Sequence, residues 1–237
     1  MSARGPVSAA LAAAGAWLLE PAEPAREAVV SAPALPRPVV AVFGLARGCG
    51  ATVVARALAA ELGSRDSHGA AAVHCEARPT GIPLATHAAS RLARQLAEVP
   101  GAEARAVGRL CLVGGAEPFA LTDTARHVAP LVLDAGASGL GGVLAAVADR
   151  VVVVGGPSTE PALAGVAAQC LARLGHEPIV VRNRVRAPTT GGPAHAAHFL
   201  PDSRMGSQLA LGGREPRGEL GQAIAELAEC CENRPRA

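Results

Sequence analysis

The chain has 237 residues and a mass of 23.6 kDa, enough for one domain with a substantial core plus a tail. Half of it is hydrophobic and 18% is charged, which excludes wholesale disorder, and a net charge of +2 makes no electrostatic case for a dedicated nucleic-acid binder. Aromatics stand at 2% with no Tyr, which excludes a stacking platform for single strands, and all 22 basic residues are Arg, so no lysine amine is available for chemistry.

Residues 1–37 read as an Ala- and Pro-rich N-terminal arm and linker. The apolar stretch from Ala9 to Leu19 follows Arg4 but is shorter than the about 20 residues a bilayer span needs. Glu20 and Pro21 stand where a signal peptide would carry small cleavage-site residues. We therefore expect a partner-docking or partly disordered arm and no integral membrane segment, with Pro21, Pro24, Pro33, Pro36 and Pro38 marking the linker.

From residue 38 to 232, short apolar runs alternate with helical patterns. Strands are expected at 39–43, 71–75, 110–113, 131–134, 151–154, 178–182 and 198–200. Several are continuous apolar runs, as suits a sheet covered on both faces. Helices are expected at 52–62, with Gly63 as its stop, and at 85–99, where Leu84, Ala88, Leu92 and Leu96 mark one face. Further helices are expected at 142–148, 160–174, 204–211 and 219–231, and residues 233–237 form a tail. This alternation predicts an α/β fold, a three-layer α/β/α sandwich around a mostly parallel central sheet.

The six cysteines, Cys49, Cys75, Cys111, Cys170, Cys230 and Cys231, include no CxxC pair. A zinc ribbon is not expected, and a reduced cytoplasmic protein is. The adjacent Cys230 and Cys231 read as small residues of a terminal helix. His195 and His198 have no acid or Cys beside them to complete a metal site, so they read as loop residues.

The first strand runs into Gly44-Leu45-Ala46-Arg47-Gly48-Cys49-Gly50-Ala51-Thr52 and then a helix. Glycines in such a turn let backbone N–H groups point inward, and the helix start adds partial positive charge, so together they can cradle an anion. The standard phosphate loop, GxxxxGK[ST], needs a Lys before its hydroxyl residue. Here Ala51 holds that place, and Gly44 lies one residue further back than the standard spacing. On this segment alone, a structural turn and an anion site are equally good readings.

Four further segments follow in order. Leu131-Val132-Leu133-Asp134-Ala135-Gly136 is a strand ending in Asp before a glycine turn. A strand up to Val154 precedes Gly155-Gly156-Pro157. Val180-Val181-Arg182-Asn183-Arg184-Val185 follows, and then Phe199-Leu200-Pro201-Asp202 leading to Gly212. With Ala46 to Thr52 at their head, these segments resemble the MinD/ParA superfamily of P-loop ATPases over about residues 38–232. They are most similar to the branch with a degenerate P-loop that includes the TadZ/CpaE pilus-assembly and septum-site-determining-like proteins.

The resemblance implies a P-loop NTPase fold of MinD/ParA type and a site for ATP or ADP with Mg, or no cofactor if that site is vestigial. It assigns the phosphate cradle to Gly48, Cys49, Gly50, Ala51, Thr52 and Val53, the adenine edge to Asn183, and magnesium to Thr52 and Asp134. Glu76 would be the catalytic, water-orienting acid. It also implies a homodimer, face to face across the nucleotide through loops 44–52 and 134–142. Partners would be proteins of a pilus, secretion or division machine, at a cytoplasmic or peripheral inner-membrane location.

Residue alternatives stay open. Thr52 could cap its helix, Asp134 could cap its turn, and Asn183 could satisfy a turn. The departures point away from hydrolysis. Ala46 and Ala51 replace both family lysines, Arg47 replaces a glycine, and His74 stands where the second strand carries its first acid. Phosphoryl transfer rests on charges placed around the transferring phosphate. Two functions are carried forward: a non-catalytic or weakly catalytic positional or assembly factor, and an active ATP-hydrolysing switch. A dinucleotide-dependent dehydrogenase is weaker, because the turn lacks GxGxxG in the right place.

Overall fold

The computed structural model describes residues 37–75, 84–137, 142–185 and 198–232. Glu76, His195, the N-terminal arm and the last five residues lie outside the described residues. The elements in chain order are β1 (Val39–Gly44), α1 (Ala51–Arg65), β2 (Ala71–His74), α2 (His87–Leu96), β3 (Glu103–Val107), β4 (Leu110–Gly114) and α3 (Pro118–Val128). Then come β5 (Leu131–Gly136), α4 (Val143–Val147), β6 (Arg150–Gly155), α5 (Pro161–Arg173), β7 (Ile179–Asn183), β8 (His198–Leu200), α6 (Arg204–Leu211) and α7 (Gly218–Glu232).

The strands form one eight-stranded sheet in the order β3-β4-β2-β5-β1-β6-β7-β8. Every pairing is parallel except β3 with β4. Central β1 shows why its run is continuously apolar. Val40 and Val42 face a core shared with α1, α6 and α7, while Val39, Ala41 and Phe43 face a second core shared with α2, α3, α4 and α5. Both faces are therefore dry, and the expected three-layer sandwich is what the chain builds.

Several expectations are corrected. Helix α1 does not stop at Gly63 but runs on to Arg65. A Cβ at Gly63 would lie 2.8 Å from the backbone of Ala70 and Ala71, so this glycine serves close packing against the turn into β2. Helix α2 begins only at His87, capped by the Thr86 hydroxyl, which accepts from the Ala89 N–H at 3.2 Å. Leu84 precedes it and is 87% exposed, so the buried face is Ala89, Leu92 and Leu96. Strand β3 was not expected from the sequence. Its alternate residues Glu103 and Arg105 are less buried than a core strand's, as fits an antiparallel edge.

Candidate functional site

Strands β5 and β6 flank β1 on its two sides, so the chain leaves β1 at a point where the sheet's order of connection reverses. In open parallel sheets the crevice beyond the carboxyl ends at such a point is the ligand position. The turn there is tightly built. Leu45 N–H donates to Val154 O at 2.9 Å, and Cys49 N–H donates to Ala46 O at 3.3 Å. A Cβ on Gly44 would sit 2.8 Å from the Cys49 sulfur and 3.0 Å from Gly136 O, so the loop folds back onto the strand end. Gly48 and Gly50 both take positive φ, 73° and 91°, which glycine adopts without strain.

Gly50 is the N-cap of α1 and offers no side chain, so the cap reading of Thr52 is not realised. Thr52 lies inside the first turn. The N–H groups of Ala51, Thr52 and Val53 have no intrahelical acceptor by the geometry of a helix start. Arg47 and Gly48 are exposed, whereas the Cys49 side chain is buried under the loop.

Two side chains from the end of β7 tie the loop down. Buried Asn183 donates from Nδ2 to Cys49 O at 2.9 Å, and its amide leaves no room for a side chain at Gly50. Arg184, at a φ of 59°, donates to Gly48 O. The turn-satisfying role of Asn183 is therefore present, and its amide oxygen remains as an acceptor.

The structure brings Thr52 and Asp134 together. Asp134 ends β5, where the pairing with β1 slips so that Phe43 meets Gly136 and Ala135 is skipped. Its Oδ1 accepts from Gly136 N–H at 3.1 Å, so it also braces its own turn. Burial pushes its carboxyl above the ordinary value, against the opposing pull of the Thr52 hydroxyl, the Gly136 N–H and the nearby Arg56 and His74. This is a carboxylate short of compensating charge.

The sequence did not single out Arg56 or Arg184. Arg56 is 2% exposed and donates to Leu211 O at 3.0 Å, while its Nε has no partner. The available signal was one charge inside the apolar run from Val53 to Ala60. For Arg184 it was the position next to Asn183. A separate groove of about 470 Å³ lies at the β8 edge, lined by Phe199, Pro201, Glu219 and Glu226 among others; no residue of the 44–52 turn lines it. Among the described residues no cluster of three or more His, Cys, Asp or Glu could hold a metal, and no helix is long and apolar enough to cross a membrane.

No family model matches this sequence, and no curated protein matches it. Solved structures do. A ParA family ATPase from Chlorobium tepidum aligns with a TM-score of 0.56 at 15% identity, over 82% of this chain and 98% of that one. The fold is that of the ParA/MinD ATPases. The MinC:MinD cell division complex of Aquifex aeolicus gives a TM-score of 0.52 at 15% identity, over 84% of this chain and 98% of that one. A putative plasmid partition protein of Borrelia burgdorferi bound to AMPPNP gives 0.53 at 10% identity, over 81% and 98%. Within the ParA/MinD fold, the start of α1 and the end of β5 are the elements that carry Thr52 and Asp134.

Proposed function

We propose that this chain is a ParA/MinD-type protein with a degenerate nucleotide site. In this reading it binds ATP or ADP with magnesium weakly, hydrolyses it slowly or not at all, and works as a positional or assembly factor through protein partners. The observation that carries this is a mismatch within one site. Thr52 and a half-buried, under-compensated Asp134 meet beside a helix start, but Ala51 stands where the phosphate-contacting Lys would be.

The residues present fit magnesium–nucleotide in part. The N–H groups of Gly48 and of Gly50 to Val53 suit phosphate oxygens, that of Cys49 being given to Ala46 O; the Thr52 hydroxyl and Asp134 carboxylate suit magnesium, and the Asn183 oxygen would take the adenine edge. Bound there, the metal would supply positive charge at the phosphates. The chain's own residues do the rest: Gly48 and Gly50 shape the cradle, Asn183 and Arg184 hold it shut against β7, and Asp134 holds the metal side. Without a lysine, charge developing in transfer is compensated only in part, and each lost charged contact costs several kcal/mol, or orders of magnitude in rate.

A positional role draws on the resemblance to the TadZ/CpaE and septum-site branch. That a similar fold was solved as the MinC:MinD complex is consistent with protein partners. The homodimer would join the 44–52 and 134–142 loops. Residues 1–37 are its docking arm, residues 38–232 the P-loop domain, and Glu76 the acid nearest catalytic use. The competing reading is an active ATP-driven switch.

Calorimetric titration with ATP and ADP, with and without Mg²⁺, tests this beside an Asp134→Ala control. Magnesium-dependent binding that vanishes in the control, with no measurable turnover, is the expected result. Steady turnover would favour the switch. No heat at millimolar ATP, with a folded chain, would leave the turn as architecture alone.

A further inference from the structure

The ordinary fate of a helix on a parallel sheet is to bury its apolar stripe, and α5 does so only in part. Ala167 and Leu171 are in the core, but Leu163, Val166 and Leu174 are 45%, 56% and 54% exposed, and Cys170 is exposed too. These four residues recur at spacings of three and four, so they form one continuous stripe beside the buried one. No Asp, Glu or Arg interrupts it between Glu160 at the N-cap and Arg173 in the last turn. Glu160 makes no side-chain cap bond, and neither it nor Arg173 has an ion pair among the described residues.

The arrangement of this stripe is self-complementary. Pair α5 with an antiparallel copy of itself about a two-fold midway between Val166 and Ala167. Leu163 then falls opposite Cys170 of the second copy and Glu160 opposite Arg173, while the two Val166 residues flank the axis, offset by one residue, about 1.5 Å along the helix. The same register satisfies both charges and buries the apolar residues, as an isologous interface requires. The small residue Ala162, one turn before Val166, allows close approach. Antiparallel helices also set the acidic N-terminal end of one beside the basic C-terminal end of the other.

We propose that the exposed face of α5 is a docking surface for a second copy of this chain, joined as an antiparallel α5 pair in the register that matches Glu160 with Arg173. This interface is separate from the nucleotide-face dimer and does not depend on it.

The test uses the full chain. Light scattering at about 50 µM is expected to show a dimer with or without nucleotide, and Val166→Glu is expected to weaken it at least about tenfold. Glu160→Arg and Arg173→Glu each weaken it, and the double reversal restores it. Register is read by oxidative cross-linking in a Cys230→Ser background. Val166→Cys links to itself, because helix axes about 8–10 Å apart bring facing Cα atoms within disulfide reach. Leu163→Cys links to the native Cys170 of the other copy. Cys170 does not link to itself, being offset by seven residues, about 10 Å along the axis. Ala172→Cys, on the far side of the helix, does not link. A monomer at this concentration, a dimer indifferent to Val166→Glu, or single charge reversals that the double does not rescue would each overturn the proposal. Circular dichroism confirms that each variant is folded.

Discussion

Asp134 carries the clearest electrostatic consequence of the fold. Burial raises its carboxyl above the ordinary value near 3.8, so between that value and the folded one the native state holds the proton longer than the unfolded chain. Its contribution to stability is therefore greatest below the unfolded value and is lost as pH rises through the folded one. Asp134→Asn removes the titration while keeping an oxygen for Gly136 N–H. Without nucleotide, Asn is expected to be the more stable at pH 7, with the gap closing as pH falls towards 4. Urea midpoints across that range check it; a gap that stays constant would mean that Asp134 is fully compensated, and one that widens in acid would mean that the fold holds its carboxyl below the ordinary value. Gly50 makes the opposite case. Its φ of 91° and the Asn183 amide against it leave no place for a side chain, so Gly50→Ala should cost about 2 kcal/mol by chemical denaturation.

Helix α1 shows how an element can be legible while its boundary is not. Its Ala-rich run announced a helix, and a glycine near its end looked like a stop. Helix propensity alone would make Gly63→Ala stabilising by about 1 kcal/mol. The turn into β2 lies so close that we expect the reverse, a loss of about 1–3 kcal/mol. The sign of one thermal shift separates the two. The same logic sorts the rest of the sheet. The buried parallel strands could be read because both faces are dry, so their apolar runs are unbroken. Strand β3 was hidden because an edge strand need bury only one side, and Ala-rich alternation with Glu103 and Arg105 gives no β signal. Leu84 looked like the head of a helical face only because spacing cannot tell where Thr86 begins the helix.

At the scale of the whole molecule, the order of segments along the chain carried more information than any one motif. The turn after β1 is ambiguous as sequence, but Thr52 and Asp134 are 82 positions apart and still meet, because β5 pairs beside β1. Neither Arg56 nor Arg184 could be read this way, since their roles depend on which carbonyls the fold brings to them, Leu211 O and Gly48 O. Ligand linkage turns this placement into a whole-molecule measurement. A ligand that binds only the native state raises stability by RT ln(1 + [L]/Kd). If the cradle binds Mg-ATP with a Kd of about 1 mM, then about 5 mM ligand adds about 1 kcal/mol, which for a chain of this size lifts Tm by about 2–4 °C. The shift should need Mg²⁺, because Thr52 and Asp134 act through the metal. It should also disappear in Asp134→Asn, even though that variant starts from the higher Tm. An equal shift without Mg²⁺ would place the nucleotide on the helix N-terminus alone. A shift that survives in Asp134→Asn would remove the carboxylate from the site and leave it only its hydrogen bond to Gly136.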